Sequence, residues 1–230
     1  MNSEDRSSLD LYSPSFLKEL AKGLPHQLSG DNEDARRAGI ALRLCLNLTN
    51  NNPPNCDAFA MDNVISSILG LVVEGFRGLH IDNAEDKRAE VLDTLLLALG
   101  LMINLAEHSD AVRKCCRTCS PTTLPSLVGV FAEGQERASQ ADSMEESRSN
   151  VAYGYLAIFL GNVCLDKGAR TVVRSRLPDQ DMSALVQAIR EFVAYNQKVD
   201  SQSLDGEDGS QVWTTFTERM VAVAARIQET

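Results

Sequence analysis

The sequence predicts an all-α protein assembled from about three stacked helical repeats. Three observations carry that prediction. One phrase returns three times: Leu-Cys-Leu-Asn-Leu at 44–48, Leu-Met-Ile-Asn-Leu at 101–105 and Phe-Leu-Gly-Asn-Val at 159–163. Its asparagines, Asn47, Asn104 and Asn162, stand 57 and 58 residues apart. A near-constant spacing is what stacked units produce, because each unit buries its apolar face only against its neighbours. Composition is the second observation: aromatics are 5% of the chain while Leu and Ala are plentiful, which favours helix over sheet. The third is that no stretch shows the period-two alternation of a strand.

Taken in order, Ser13-Pro14 is a helix start with Ser as N-cap and Pro at the first helical position, and Gly23 closes that short helix. A second helix is expected over 32–50, ended by the Asn-Asn-Asn-Pro-Pro run at 50–54. A third is expected over 58–77. The fourth, 84–107, is apolar on nearly every side from Leu95 onward and belongs at the centre of a stack. Ser109 caps a short helix to Cys116, and Leu124 to Arg137 forms another. A second central helix follows over 150–165, then a short basic one from Lys167 to Ser175. Asp181 caps a helix to Val199, and Gln211 to Gln228 make the closing helix. The units read as HEAT or armadillo-like, giving an α-solenoid of antiparallel helices.

Charge and cysteine usage bound the function. The formal net charge is −10, which disfavours binding to nucleic-acid phosphates by the chain as a whole. The acidity concentrates near 134–149 and 200–210, two stretches expected to form mobile, solubilising insertions. Six cysteines show no disulfide-framework spacing, and the N-terminus is polar and acidic rather than a secretory signal, so a reducing compartment is expected. The most apolar runs, 94–105 and 151–165, fall short of the roughly 18–20 residues of a membrane span, so the expectation is a soluble protein. The three histidines are dispersed, no nucleophile–base spacing stands out and there is no Gly-x4-Gly-Lys phosphate loop. A passive binding protein without catalytic residues or cofactor is expected.

Three features invite a site. The repeated asparagines either fix the stacking, each amide meeting backbone groups of the neighbouring unit, or clamp an extended peptide. Cys115, Cys116 and Cys119 with His108 upstream suggest zinc, against the plainer reading of partly buried thiols, since structural zinc wants two ligand pairs and only one is present. The basic residues form the third. Lys167, Arg170 and Arg174 fall at i, i+3 and i+7 on one stripe, and Arg113, Lys114 and Arg117 occupy the corresponding place one unit earlier. Equivalent positions of a stacked array share an edge, so the two clusters would form a basic ridge on an acidic protein. The alternative is a solvated face paired with nearby acids, worth about 0–1 kcal/mol per pair. Glu107, at a unit corner beside His108 and Ser109, is a further candidate contact.

Three blocks in order carry a family resemblance: Arg43-Leu-Cys-Leu-Asn-Leu-Thr-Asn-Asn-Asn52, Leu97-Ala-Leu-Gly-Leu-Met-Ile-Asn-Leu-Ala-Glu-His-Ser109 and Val151-Ala-Tyr-Gly-Tyr-Leu-Ala-Ile-Phe-Leu-Gly161. With the run Leu177-Pro178 and the two helices after it, they resemble the C-terminal domain of the Wapl family, from about residue 36 onward. Residues 1–31 are then an N-terminal segment with a short helix, and 32–230 the Wapl-like helical-repeat domain. The resemblance implies a nuclear, chromatin-associated cohesin-release factor acting on the ATPase heads and kleisin together with HEAT-repeat accessory subunits; the charge and the short apolar runs add the expectation of no direct contact to nucleic acid or membrane. The basic ridge would then hold an acidic segment of a cohesin subunit. The family also implies further upstream repeats and an N-terminal arm with short binding motifs, so a fragment or short relative is expected. The competing expectation is a generic armadillo-like adaptor gripping an extended peptide with Asn47, Asn104 and Asn162.

Overall fold

A computed structural model describes residues 14–28, 32–79, 85–119, 121–138, 144–202 and 207–228, and the described residues contain helices and turns but no strand. The chain opens with α1 (Pro14–Leu28). Three units of one design follow. Each has a long helix, a short helix turned across its C-terminal end, and a second long helix running back. The units are α2 (Asn32–Thr49), α3 (Pro53–Asp57) and α4 (Asp62–Leu79); α5 (Glu85–His108), α6 (Asp110–Thr118) and α7 (Thr123–Ala138); α8 (Met144–Val163), α9 (Lys167–Arg174) and α10 (Ser183–Gln202). Helix α11 (Glu207–Gln228) closes the stack. This all-helical order is that of a helical solenoid.

The repeat is stricter than the recurring phrase suggests, and it is set by buried positions rather than by asparagine. Leu42, Leu99 and Leu156 are all buried, as are Cys45, Met102 and Phe159, then Leu48, Leu105 and Asn162, then Thr49, Ala106 and Val163. Every member of these sets follows the last by 57 residues. The short helices keep the same step, because Asn52, Ser109 and Asp166 are their N-caps, each side chain accepting a hydrogen bond from a backbone N–H three residues on. Long helix packs on long helix, α2 on α5 and α5 on α8, while α4 packs on α5 and α7 on α8 behind them. One continuous apolar core from Ala21 to Ile227 results.

Several elements differ from expectation, each for a local reason. Helix α1 runs through Gly23 and Pro25 to Leu28, since burying Leu17, Ala21 and Leu24 against α2 and α4 outweighs the weak propensity of those two residues. Through these contacts α1 joins the common core. The Asn-rich run does end α2, but its last asparagine and the two prolines start α3, and α4 begins only at Asp62. Asn51 takes the left-handed conformation (φ 49°) that this reversal needs, one that asparagine adopts more readily than most residues. The expected acidic insertions are shorter than foreseen. Helix α7 extends to Ala138 and α8 starts at Met144; α10 reaches Gln202 and α11 starts at Glu207. Residues 139–143 and 203–206 lie outside the described residues.

Helix α5 corrects another expectation. Its Lys87–His108 segment is long and apolar enough to cross a membrane by length and composition. Its place between α2, α4 and α8 accounts for that character, since half of this window is buried and a helix packed against three neighbours keeps little polar face.

Candidate functional site

The expected ridge begins with two helices that do meet: α6 and α9 pack side by side. Gly168 lies under the Arg117 side chain, where a Cβ would lie 2.7 Å from its Nε. Arg117 in turn reaches Asp166 Oδ1 at 3.5 Å, tying α6 to the cap of α9.

Within the two clusters the arginines divide by role. Arg113 is largely buried and donates to the carbonyls of Ala106 and Glu107, the closing turn of α5, while pairing with Asp110. Burial, with Arg226 nearby, lowers its pKa from the ordinary arginine value. Arg170, its equivalent one unit later, donates Nε–H to the Cys164 carbonyl (2.8 Å), just beyond the end of α8. The first unit performs the same task with a thiol: Cys56 Sγ donates to the Thr49 carbonyl at 3.4 Å and to the Asn104 carbonyl at 3.5 Å. Cys56, Arg113 and Arg170 therefore close the C-terminal ends of α2, α5 and α8 by satisfying carbonyls that the helix itself leaves without donors. Arg113 and Arg170 drop out of the ridge as structural groups. Arg174, exposed, is tied through Nε to the Gln180 carbonyl (2.8 Å), holding the turn in which Asp179 and Gln180 have positive φ. What remains available is Lys114 and Lys167, exposed and without an ion pair to a described side chain, with Arg117 and Arg174 partly engaged. Exposed Arg176, just past α9, adds to this charge. Sequence reasoning passed over it because it lies beyond the helix and its stripe.

Glu107 points elsewhere. It forms an ion pair with Arg219 of α11 (Oε1 to Nε, 3.0 Å) and lies 3.9 Å from His108 Nε2. Arg219 also donates to Asn51 Oδ1 at 2.6 Å, so one arginine of α11 ties together the C-terminal ends of α2 and α5. Ser109 accepts from the Val112 N–H (3.1 Å) and donates its hydroxyl proton to Asp57 Oδ1 (2.5 Å), joining α6 to α3.

The three asparagines are not equivalent in space. Asn47 is exposed. Asn104 is half-buried and donates Nδ2–H to the Leu46 carbonyl (3.2 Å) and to Thr49 Oγ1 (3.3 Å), a bond from one unit to its predecessor. Asn162 is fully buried, donates to Ile158 of its own helix (3.2 Å), and leaves its Oδ1 without a hydrogen-bond partner. The 57-residue step aligns Asn104 with Gly161, so Asn162 occupies the slot of Leu48 and Leu105. A common face of three amides, which the peptide-clamp expectation requires, is not formed.

The cysteine cluster is likewise resolved into packing. Cys115 and Cys116 are buried, and the Cys115 thiol donates to Asp62 Oδ1 (3.0 Å) at the start of α4. Burial pushes both thiols up from their ordinary range, the Asp62 bond reinforcing the effect at Cys115. Among the described residues no three His, Cys, Asp or Glu side chains are grouped to hold a metal ion.

Known proteins give these features a context. A family model described as "Wings apart-like protein regulation of heterochromatin" matches residues 1–112, which is α1, the whole first unit and the long helix of the second. The match takes in residues ahead of position 36, where the motif resemblance begins, and stops short of the third block at 151–161 and of the ridge. Wings apart-like protein 2 of Arabidopsis thaliana is 25% identical, over 70% of this chain and 24% of its own length. The chain therefore spans about a quarter of the curated relative it matches. The family model, over just under half of the chain, and the relative, at 25% identity, both make the Wings apart-like family what this chain is similar to.

Proposed function

We propose that this chain is a non-enzymatic protein-interaction domain of the HEAT or armadillo kind that binds cohesin and promotes its release from chromatin. Its partners are the ATPase heads, the kleisin or the HEAT-repeat accessory subunits, and its place of action is nuclear chromatin. The family's description, regulation of heterochromatin, supports a chromatin setting. The observation that carries a binding role is the packing of α6 on α9, which sets the helix carrying Lys114 and Arg117 against the one carrying Lys167 on a protein of net charge −10. A local positive strip on an acidic body selects an acidic partner segment and holds it by salt-sensitive contacts. A domain of this kind acts by binding one conformation of its partner more tightly than another.

The test is a pull-down of purified cohesin core and accessory subunits by this chain at moderate salt. Beside it runs a Lys114→Glu, Lys167→Glu double variant, which leaves Arg113 and Arg170 to close their helices. Retention by the parent chain and a loss of roughly tenfold or more by a variant with unchanged circular dichroism is the expected result. Equal retention by both would remove the strip from the reading while keeping the partner. No retention by either would remove the cohesin reading for this stretch of chain.

A further inference from the structure

Among the second long helices the repeat is not kept. Helix α1 packs on α4 and α4 on α7, but α7 and α10 barely touch. A groove opens between them over the N-terminal half of α8, with a volume of about 240 Å³. Two glycines admit the rings of Tyr153 and Phe192 that line it, and one of them, Gly154, is part of the lining itself. A Cβ at Gly134 would lie 2.2 Å from the Tyr153 ring, and one at Gly154 would lie 1.9 Å from the Phe192 ring. Phe192 also meets Tyr155 edge to face, with centroids 5.6 Å apart. Tyr195, 59% exposed, forms part of the wall, and Gln135, Asn150 and Glu191 supply its polar groups.

Three aromatic rings and one carboxylate line this groove, and no lysine, arginine or histidine does so among the described residues. Gln187 Nε2 donates to Glu191 Oε1 at 2.7 Å and steadies the carboxylate at the rim. Aromatic rings and a carboxylate around a slot of this size attract a cation on an apolar stem. We propose that the groove is a docking site for a single arginine or lysine side chain presented by an extended segment of a partner protein. The stem packs against Tyr153 and Phe192, the charged head reaches Glu191 and the Tyr195 face, and the amides of Gln135 and Asn150 meet the partner's backbone. The site is independent of the basic strip and of the cohesin reading, since it has the opposite charge and lies on other elements.

The test titrates isotopically labelled chain with an acetylated, amidated glycine–serine heptapeptide carrying one central arginine, followed by amide NMR shifts. Matched peptides carry citrulline or leucine instead. The expected result is saturable, salt-sensitive shifts at Gly154 and Ala188, with the citrulline peptide at least about fivefold weaker. Glu191→Gln and Tyr195→Ala, both at exposed positions, should each weaken the arginine peptide by a similar factor. Equal binding of all three peptides would overturn the proposal in favour of a plain apolar slot. Unchanged affinity in both variants, or the absence of a saturable shift with the arginine peptide, would also overturn it.

Discussion

Asn162 shows how a residue's meaning depends on its slot. By phrase it belongs with Asn47 and Asn104, but by repeat step it belongs with Leu48 and Leu105, and its burial follows the step. Its amide nitrogen finds a carbonyl of its own helix and lies 4.0 Å from Met220 Sδ of α11, while its Oδ1 finds no hydrogen-bond partner. An unmet buried acceptor costs about 1–3 kcal/mol. Leucine has nearly the same branched outline and is the residue at both equivalent positions. Asn162→Leu should therefore raise the urea midpoint, by about 1 kcal/mol in unfolding free energy at unchanged m-value. A fall in the midpoint would mean that the amide holds α11 in place. Asn104→Leu should do the opposite, because it removes the bonds to Leu46 and Thr49 that join the first two units.

At the scale of elements, the ends of the long helices matter most. Each of α2, α5 and α8 stops within three residues of the N-cap of a short helix, and the residue four places after that cap turns back to donate to the carbonyls there. Arg113→Met and Arg170→Met keep most of the aliphatic stem and remove the donor. Each should lower stability by about 1–3 kcal/mol in urea unfolding, whereas Lys114→Met and Lys167→Met should change it by less than about 0.5 kcal/mol. Equal effects in the two pairs would show that no such division of roles exists. The signal was present in the sequence as an arginine recurring four residues after a cap, but charge alone reads as surface. Helix α3 was legible too: Asn52 followed by Pro53 repeats the Ser13-Pro14 start signature, hidden by neighbours that spell a helix end. The gap between α7 and α10 had no sequence signal, since it depends on how far two helices separate in space.

Across the whole molecule, one core joins the described helices and buries Cys45, Cys56 and Cys164 within it. Burial raises the Cys45, Cys56 and Cys164 thiols from their ordinary 9.0 to about 12. The unfolded chain gives up these protons near pH 9 while the folded chain keeps them, so unfolding releases protons in the interval between. Their contribution is complete below pH 9 and is lost as pH rises toward 12. The urea midpoint should fall steadily above about pH 9, and a Cys45→Ala, Cys164→Ala variant should fall less steeply over the same range. Parallel slopes would place the alkaline instability in other groups.

The sequence by itself determined the all-helical class, the central position of α5 and α8, the Ser109 cap and the near-57-residue step. These follow from apolar periodicity and end signals, which are local properties of the chain. The basic residues of α6 and α9 were also legible as a pair of matching stripes. Only the tertiary structure decided which of those cations close helices and which face solvent, and that Asn162 sits in an apolar slot. It also decided that α1 belongs to the common core and that the second long helices part to leave an aromatic, acidic groove. Each of these depends on which surface a neighbouring helix covers, and helix propensity contains no information about the neighbour.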